Sequence, residues 1–467
     1  MERRVVITGI GPVTPAGIGK KEFWNSVSNG ISPVKRAHCV DVSHYGDIQT
    51  AEIVGFNLDK TFSRDIHSGN LDRKVYNRIK QDCDKAIQFA VAGAKLALYD
   101  SGLQYDRLDN SIGIIIGNAE DCIQTQEEKI KHTIQKINKK IFDDFNSMTH
   151  LFAYFKVKKA FRECQALLEP EKLDEFIKTL HDRYGTIHSL VPVSTVDLKS
   201  YAIPSRIASF FGLHGPAFSV NTACASGLDA IGQAFMHIKS GVCDLIVSGG
   251  SEAPITLESI AVLDNLGVLS KTKPRPYDSR RDGFAIGEGA GIVVLEEFES
   301  AKTRNAPVYA EIVGYAQTID GNRNILALDP KGKYLKSAIK SALKNSNIPK
   351  EAIGYINSHG TSTPSCDEIE TLVVKHVFEN HASSLHMSST KPITGHSIGA
   401  VGGIETILTA MAIQNSLVPP TLNLEIPSPG CDLNYAPGEA VEKNIDAALV
   451  SSMGFGGYNS ALVLKKI

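Results

Sequence analysis

The sequence predicts an α/β fold that is built from two similar halves. Strand, polar loop and helix recur in the same order in both halves. Apolar, β-rich runs stand beside helices whose apolar residues repeat with a period of 3.6. Such units imply mostly parallel sheets with helices on both faces. We divide the chain into an N-terminal half, 1–306, and a C-terminal half, 307–467.

Three segments in each half carry this repeat, and some of them contribute only a strand with its loop or the closing strands. In the first half they are NSIGIIIGNAED (110–121), FSVNTACASGLDAIGQAFMHI (218–238) and CDLIVSGGSEAP (243–254). In the second half they are AIGYINSHGTSTPSCDEIE (352–370), HMSSTKPITGHSIGAVGGIETILTAMAI (386–413) and DAALVSSMGFGGYNSALVL (446–464). In such sheets, binding and catalytic residues lie beyond the C-terminal ends of the strands.

Four features follow these predicted strands: Cys224, His359, His396 and the glycine-rich turn 454–457. If the halves pack about a pseudo-twofold axis, all four converge on one pocket. Residues 122–188 break the pattern, because they read as charged amphipathic helices. We expect a helical insertion there, over the pocket or at a subunit interface.

The composition and charge argue against several classes of function. The 467 residues include 49 basic and 51 acidic side chains, a net charge of −2 that gives no general case for binding nucleic acid or an anionic membrane. The eight cysteines contain no Cys-x-x-Cys pair, so we expect reduced thiols in a cytosolic protein. No segment reaches the roughly 18 apolar residues that a membrane span needs, and the N-terminal apolar run is too short for a signal peptide.

Cys224 lies at the start of a predicted helix, 225–238, and small residues surround it. A helix N-terminus stabilises a thiolate, and we expect Asp229 to follow only after a full turn, too late to oppose it. These features are compatible with a nucleophile at the end of a strand. The alternative is a buried structural cysteine, since free cysteine is often a core residue.

The second half contains groups that could act on a thioester. His359 precedes a run of hydroxyl residues, although such a run could equally serve as a turn and helix cap. Lys391, five residues before His396, could keep that imidazole neutral, with Glu370 or Asp367 as its carboxylate partner.

The glycines that flank Phe455 could expose its backbone N–H as an oxyanion donor. A metal site would need a short ligand pair, which these distant residues lack. A Cys–His–Asn hydrolase would need fewer groups than the chain offers. The set suits a reaction with two oxyanions, a tetrahedral thioester intermediate and an enolate.

The chain resembles condensing enzymes of the thiolase superfamily, in particular β-ketoacyl-acyl carrier protein synthase II and polyketide ketosynthases. The resemblance covers nearly the whole chain except 122–188. It rests on the motifs VNTACASG, RPYDSRRDGFAIGEGAGIVVLEE, SHGTSTPSCDEIE, SSTKPITGHSIGAVGGIE, PPTLNLEIPSPGCDLNY and MGFGGYNSALVL. It implies a thiolase-like αβαβα five-layer fold made of two duplicated halves.

This resemblance also implies a role for each candidate. Cys224 would take the acyl chain from a carrier protein, and His359 and His396 would donate hydrogen bonds to the enolate of a decarboxylated malonyl thioester. The backbone N–H groups of Cys224 and Phe455 would hold the tetrahedral oxyanion, and the Phe455 side chain would gate the acyl pocket.

The remaining roles concern charge, the substrate arm and partners. Lys391, paired with Glu370, would tune the electrostatics around His396, and Thr361 and Thr363 would bind the phosphopantetheine arm. The resemblance implies no metal or organic cofactor. It implies an acyl carrier protein as partner and a dimer, either a homodimer or a heterodimer with a chain-length factor. A thiolase would need a second catalytic cysteine, which SSMGFGGYNS lacks.

Some positions depart from the family pattern. Tyr458 replaces a threonine, Cys366 and Asp367 stand where Gly-Asp is usual, and 118–121 carries two acids in place of a glycine-rich segment. Acyl type, chain length and the choice between fatty-acid and polyketide or polyene synthesis stay open. Candidate contacts for the carrier protein are Lys271, Lys273 and Arg275.

Overall fold

The computed structural model of the chain describes residues 3–68, 72–103, 111–120, 199–324 and 326–467. These residues belong to one compact unit. The predicted helical insertion at 122–188 lies outside the described residues. No helix in the described ranges is long and apolar enough to cross a membrane.

Sixteen strands occur in these ranges. They are β1 (Val5–Thr14), β2 (Gly17–Ile18), β3 (Lys35–Arg36), β4 (Gln49–Ala51), β5 (Gly113–Gly117), β6 (Ala217–Val220), β7 (Leu245–Glu252), β8 (Ile286–Gly287), β9 (Gly289–Glu297), β10 (Ala310–Ile319), β11 (Ile353–Asn357), β12 (His386–Ser388), β13 (Leu417–Val418), β14 (Val441–Glu442), β15 (Ala447–Gly454) and β16 (Tyr458–Lys465).

Thirteen α-helices accompany these strands in the described part of the chain. They are α1 (Lys20–Ser28), α2 (Leu58–Thr61), α3 (Ser63–Ser68), α4 (Arg73–Asp82), α5 (Lys85–Asp100), α6 (Ala202–Phe211), α7 (Ser226–Lys239), α8 (Leu257–Asn265), α9 (Phe298–Thr303), α10 (Lys333–Ser346), α11 (Pro364–Phe378), α12 (Lys391–Thr394) and α13 (Val401–Asn415).

The strand order shows the internal repeat. The main sheet runs β12-β11-β15-β16-β10-β1-β9-β7-β5-β6. In each half we number the five strands of this sheet from 1 to 5 along the chain. From the outer edge inwards their order is then 3-2-4-5-1 in both halves, and β1 pairs with β10 at the centre. The two halves of the sequence therefore fold into the same topology.

The expectation of mostly parallel sheets is wrong. In each half the three outer strands are parallel to one another, whereas the two inner strands run antiparallel to their neighbours. The central β1–β10 pair is also antiparallel. Only the outer part of each half is therefore built from parallel βαβ units.

Three apolar clusters define the layers. Helices α5 and α6 pack on one face of the first-half strands, and α10 and α11 pack on one face of the second-half strands. Helices α7 and α13 pack between the remaining faces of both halves. This is the αβαβα arrangement that the resemblance implies.

The two central helices approach closely where they begin. A Cβ atom on Gly402 would lie 2.3 Å from the backbone nitrogen of Leu228, so only glycine fits there. Because α7 follows the Cys224 segment and α13 follows the His396 segment, this contact brings both segments to the seam between the halves.

Candidate active site

Cys224 lies in a tight turn between β6 and α7, residues 221–225, which we call the Cys224 turn. Helix α7 begins at Ser226, one residue after the predicted start. Ala223 has a φ of 51°, in the left-handed region that a residue with a Cβ seldom adopts. Ser452 of β15 donates a hydrogen bond of 3.2 Å to the carbonyl oxygen of Cys224. The turn therefore lies against the end of β15.

Two backbone donors act on the Cys224 sulfur. Burial raises the pKa of the Cys224 thiol to about 12, while Lys391 and the backbone N–H groups of Phe455 and Cys224 itself lower it. Since burial is the largest effect, the resting group is a thiol, against the expectation that the helix N-terminus would make it a thiolate. The same two N–H groups are placed to stabilise a negative charge that forms beside the sulfur.

The two histidines lie together. His359 follows β11 and His396 follows α12, and their ring centroids are 5.5 Å apart with the planes nearly perpendicular. Burial lowers the pKa of both histidines well below 6.5, and the charge of Lys391 lowers each further. Both imidazoles are therefore neutral near pH 7, and each has one N–H to donate.

Lys391 does not pair with Glu370 or Asp367, so that prediction is wrong. Its Nζ donates a 2.5 Å hydrogen bond to Oε1 of Glu405, and both side chains are 1% exposed. Burial raises the pKa of Glu405 to about 7, although Lys391 opposes this. Sequence reasoning missed Glu405, yet it left a signal, a lone acid in the otherwise apolar helix α13.

Glu370 instead holds the loop that carries His359. Its carboxylate accepts hydrogen bonds from the backbone N–H of His359 at 2.7 Å and of Gly360 at 2.9 Å, and from Ser451 Oγ at 2.5 Å. Glu370 therefore contacts the backbone of the site and sets where the His359 ring can lie.

Asp367, from the same helix, supports the next part of this loop. It accepts from the backbone N–H groups of Tyr277 at 2.8 Å and Ser362 at 3.1 Å. The hydroxyls of Thr361 and Thr363 lie on either side of Ser362 and are 2.9 Å apart. Cys366 is buried in the apolar cluster under this loop, and its sulfur accepts hydrogen bonds from the hydroxyl and the backbone of Thr361.

The loop after β5 is also held by a buried carboxylate, that of Glu252. Glu252 at the end of β7 accepts hydrogen bonds from Asn118 Nδ2 at 2.6 Å and from the backbone N–H of Ala119 at 2.7 Å. Burial and the charge of Glu120 raise the pKa of Glu252 well above 4.5. Glu120 accepts a hydrogen bond of 2.7 Å from Ser259 Oγ. Asp121, the other acid of this segment, lies outside the described residues.

An apolar cluster surrounds the thiol. Ile255, Ile260, Leu263 and Ile398 belong to it, and Phe455 packs against its edge. These side chains give Cys224 surroundings that suit a hydrocarbon chain. Phe284 of the same cluster packs edge-on against His396, with ring centroids 4.7 Å apart.

The three basic candidates for carrier contact differ. Arg275 is buried and its backbone N–H donates to Ser362 Oγ, so the expectation of an exposed contact is wrong for it. Lys271 forms an ion pair with Asp264. Lys273 is exposed.

Asp229 lies in the first turn of α7, so the expectation that it follows a full turn later is also wrong. It is 1% exposed and accepts a 2.6 Å hydrogen bond from Thr222 Oγ1 of the Cys224 turn. No feature of the sequence distinguishes it from an ordinary helix acid.

Comparison with known proteins agrees with this geometry. The family model "Beta-ketoacyl synthase, N-terminal domain" matches residues 2–152 and 177–301, and "Beta-ketoacyl synthase, C-terminal domain" matches 309–425. The chain is 35% identical to the 3-oxoacyl-[acyl-carrier-protein] synthase 2 of Synechocystis, over 100% of this chain and 98% of that one. It is 34% identical to the Coxiella burnetii protein of that name, over 100% and 99%.

Solved structures show the same fold. The ishigamide ketosynthase/chain length factor matches with a TM-score of 0.80 and 25% identity, and a β-ketoacyl synthase from Burkholderia phymatum with 0.78 and 27%, each over 100% of both chains. A type II polyketide synthase acyl carrier protein in complex with its ketosynthase matches with 0.76 and 27%, also over 100% of both. With full-length relatives and both family models matched, the chain belongs to the β-ketoacyl synthase family.

Proposed function

We propose that the chain is a β-ketoacyl-acyl carrier protein synthase, which condenses an acyl group on Cys224 with a malonyl group on a carrier protein. The observation that carries this proposal is a buried thiol with two backbone N–H donors, grouped with two histidines that burial and Lys391 keep neutral. The reaction needs these two kinds of group, one for each oxyanion.

The first step moves the acyl chain. The sulfur of Cys224 attacks the carbonyl carbon of the acyl thioester, and the N–H groups of Cys224 and Phe455 hold the tetrahedral oxyanion. The carbon–sulfur bond to the carrier arm then breaks, and the arm leaves as a thiol with the proton that Cys224 loses. Because one thiol replaces another, the step has no net proton change, which suits a cysteine whose pKa is raised to about 12.

The second step makes the carbon–carbon bond. The malonyl carboxylate leaves as carbon dioxide, and its electron pair forms an enolate whose oxygen accepts hydrogen bonds from His359 and His396. The enolate carbon attacks the acyl–Cys224 carbonyl, and the intermediate collapses to leave the β-ketoacyl chain on the carrier arm. The cysteine sulfur leaves as a thiolate and takes one proton from water to restore the resting thiol. Neutral histidines suit this task because each can donate through an N–H without a prior proton loss.

The substrate arm and partners complete the proposal. The paired hydroxyls of Thr361 and Thr363 would hydrogen-bond the phosphopantetheine arm of an acyl carrier protein. Decarboxylation supplies the carbanion, so the scheme includes no metal or organic cofactor. The described cysteines are all free thiols, which supports a reducing compartment, and we place the protein in the cytoplasm.

Intact mass spectrometry tests the assignment. Wild-type protein incubated with acyl-acyl carrier protein should gain the mass of one acyl group, and Cys224→Ala should gain none. Cys39→Ala removes an exposed thiol outside the site and should be acylated like the wild type. Acylation of Cys224→Ala at the wild-type level would overturn the proposal.

A second candidate function is the catalytic subunit of a ketosynthase/chain-length-factor heterodimer. The match to the ishigamide ketosynthase/chain length factor favours it. The chain contains Cys224, both histidines and Lys391, so it would be the catalytic member. Native mass spectrometry of the protein expressed alone, together with a condensation assay on the same sample, distinguishes the two candidate functions. An active homodimer supports the first candidate, and activity that needs a cysteine-free homologue supports the second.

A further inference from the structure

A buried carboxylate lies directly beneath the Cys224 turn. Asp229 accepts hydrogen bonds from Thr222 Oγ1 at 2.6 Å, Tyr315 OH at 2.9 Å and Gln317 Nε2 at 3.0 Å, and a further one from Ser460 Oγ. Four donors match the roughly four lone-pair sites of an ionised carboxylate. Asp229 is therefore a fully bonded group, although neither step of the proposed reaction uses it.

Three of these donors come from the other half of the chain. Tyr315 and Gln317 belong to β10 and Ser460 to β16. The Tyr315 ring lies flat against α7 because residue 232 is glycine, where a Cβ atom would come within 2.2 Å of that ring. Asp229 is thus fixed by strands of the second half. Its side chain reaches the Cys224 turn through Thr222, and its backbone N–H donates to the Ala225 carbonyl at 2.9 Å.

The turn needs such support. Ala223 has positive φ, and a residue with a Cβ keeps that conformation only when its surroundings constrain it. Ser226 Oγ accepts from the Thr222 N–H at 2.9 Å and donates to the Ala223 carbonyl at 2.6 Å. These contacts are local to the turn. Two hydrogen bonds tie the turn to strands of the second half: Ser452 Oγ donates to the Cys224 carbonyl at 3.2 Å, and Thr222 donates to Asp229, which β10 and β16 hold.

We propose that Asp229, acting through Thr222, is a positioning residue that aligns the Cys224 sulfur and backbone N–H for acyl transfer. The inference rests on the proposed function. A turn released from Asp229 would still fold, since its local bonds remain. The Ser452 bond to the Cys224 carbonyl would then be the remaining side-chain tie to the second half. The sulfur would be held less firmly beside the Phe455 N–H, and a misplacement of about 1 Å can cost two orders of magnitude in rate.

Thr222→Val tests this inference without disturbing the other bonds of Asp229. Valine keeps the shape of threonine but cannot donate to the carboxylate. We expect acylation of Cys224 by acyl-acyl carrier protein, followed by rapid-quench mass spectrometry, to slow by about 10- to 100-fold. Carbon dioxide release from malonyl-acyl carrier protein should stay within about twofold, since that step uses the histidines. Thr222→Ser, which restores the hydroxyl, should recover most of the acylation rate.

Asp229→Asn provides the second arm. Its amide replaces one acceptor oxygen by a donor, which disturbs the set of four bonds, so acylation should slow at least as much as in Thr222→Val. The double variant should be no slower than Asp229→Asn alone, because Asp229 acts on the turn through Thr222. Wild-type acylation by Thr222→Val, or a parallel fall of both half-reactions that tracks a lower melting temperature, would overturn the inference.

Alkylation of Cys224 by iodoacetamide at pH 8 separates this inference from the proposed function, because it needs no carrier protein. Slower alkylation of Thr222→Val than of the wild type supports the positioning role. A wild type that takes no acyl group while Thr222→Val still alkylates slowly would overturn the proposed function alone. Equal alkylation rates would count against the positioning role.

Discussion

Each half places a carboxylate under the loop that follows its second strand in the main sheet, and the two loops carry different side chains. In the first half, Glu252 accepts two successive backbone N–H groups after β5, beginning at Ala119. In the second half, Glu370 accepts two successive N–H groups after β11, beginning at His359. The backbone arrangement is repeated, but only the second loop carries a histidine.

The difference teaches how the chemistry is divided. The first half supplies the Cys224 turn and most of the apolar side chains around it. The second half supplies His359, His396 and the Lys391–Glu405 pair, together with Ile398 and Phe455 of the apolar cluster. In the proposed reaction, a duplicated backbone would thus hold one acyl group at the first half and activate the other substrate at the second. Changes in either half should then affect one half-reaction more than the other. The experiments on His396→Ala and on Glu370 and Glu252 test that division, and two stability measurements test the buried charges of the second half.

The largest effect is expected for His396→Ala. It removes a donor to the enolate, so carbon dioxide release from malonyl-acyl carrier protein should fall by about 100- to 1000-fold, as for the loss of an oxyanion donor. Acylation of Cys224 should persist by intact mass. His376→Ala, an exposed histidine of the same half, is the matched control. Undiminished carbon dioxide release from His396→Ala would contradict the enolate role.

Glu405→Gln should cost about 3 kcal/mol of unfolding free energy above pH 7, because it leaves the charge of Lys391 buried without a partner. Denaturant unfolding measures this loss. The double variant Lys391→Met with Glu405→Leu should recover much of it, since it removes both charges. If Glu405→Gln were as stable as the wild type, the pair would not be the electrostatic unit of the second half.

The two bracing carboxylates give a smaller, differential effect. Glu370→Gln should lose about 2 kcal/mol, because its amide presents a donor to groups that already donate. Glu252→Gln should lose less, since the raised pKa of Glu252 favours its protonated form, which glutamine resembles. Glu370→Gln should also slow carbon dioxide release more than acylation. Equal losses in both variants would remove the distinction between the two loops.

The smallest effect concerns pH. Burial lowers the pKa of His396 in the folded protein, so below about 6.5 the unfolded chain binds a proton that the folded chain does not, and stability falls as pH falls. Relative to His396→Gln, the wild type should lose about 1.4 kcal/mol for each pH unit below about 6.5. Parallel stability curves for the two proteins between pH 7 and 5 would contradict a neutral, buried His396.

Sequence reasoning reached the repeat, the family and the cluster of Cys224, His359 and His396. Cys224 and His359 follow β6 and β11 as predicted, whereas His396 follows helix α12, so sequence reasoning placed it after the wrong kind of element. It misjudged strand direction for a physical reason. β1 and β9 are buried almost throughout, and strands buried on both faces read as continuous apolar runs whether they are parallel or antiparallel.

Long-range polar partners were beyond sequence reasoning. Glu405 reaches Lys391 from another helix and Asp229 reaches Thr222 from beneath its turn, and residue spacing does not encode either contact. The division at residue 306, the role of 122–188 and the roles of Thr361 and Thr363 stay predictions.

The contact of Gly402 with Leu228 bears on the separation between the Cys224 turn and the His396 segment, across which the proposed reaction takes place. Helix α7 begins beside the atom that would hold the acyl group, and the segment before α13 carries a histidine that would hold the enolate oxygen. A methyl group between them would push the two reacting carbons apart by moving both helices. Because Gly402 has no side chain, the two helices stay close enough to set the separation of the two carbons that would form the new bond.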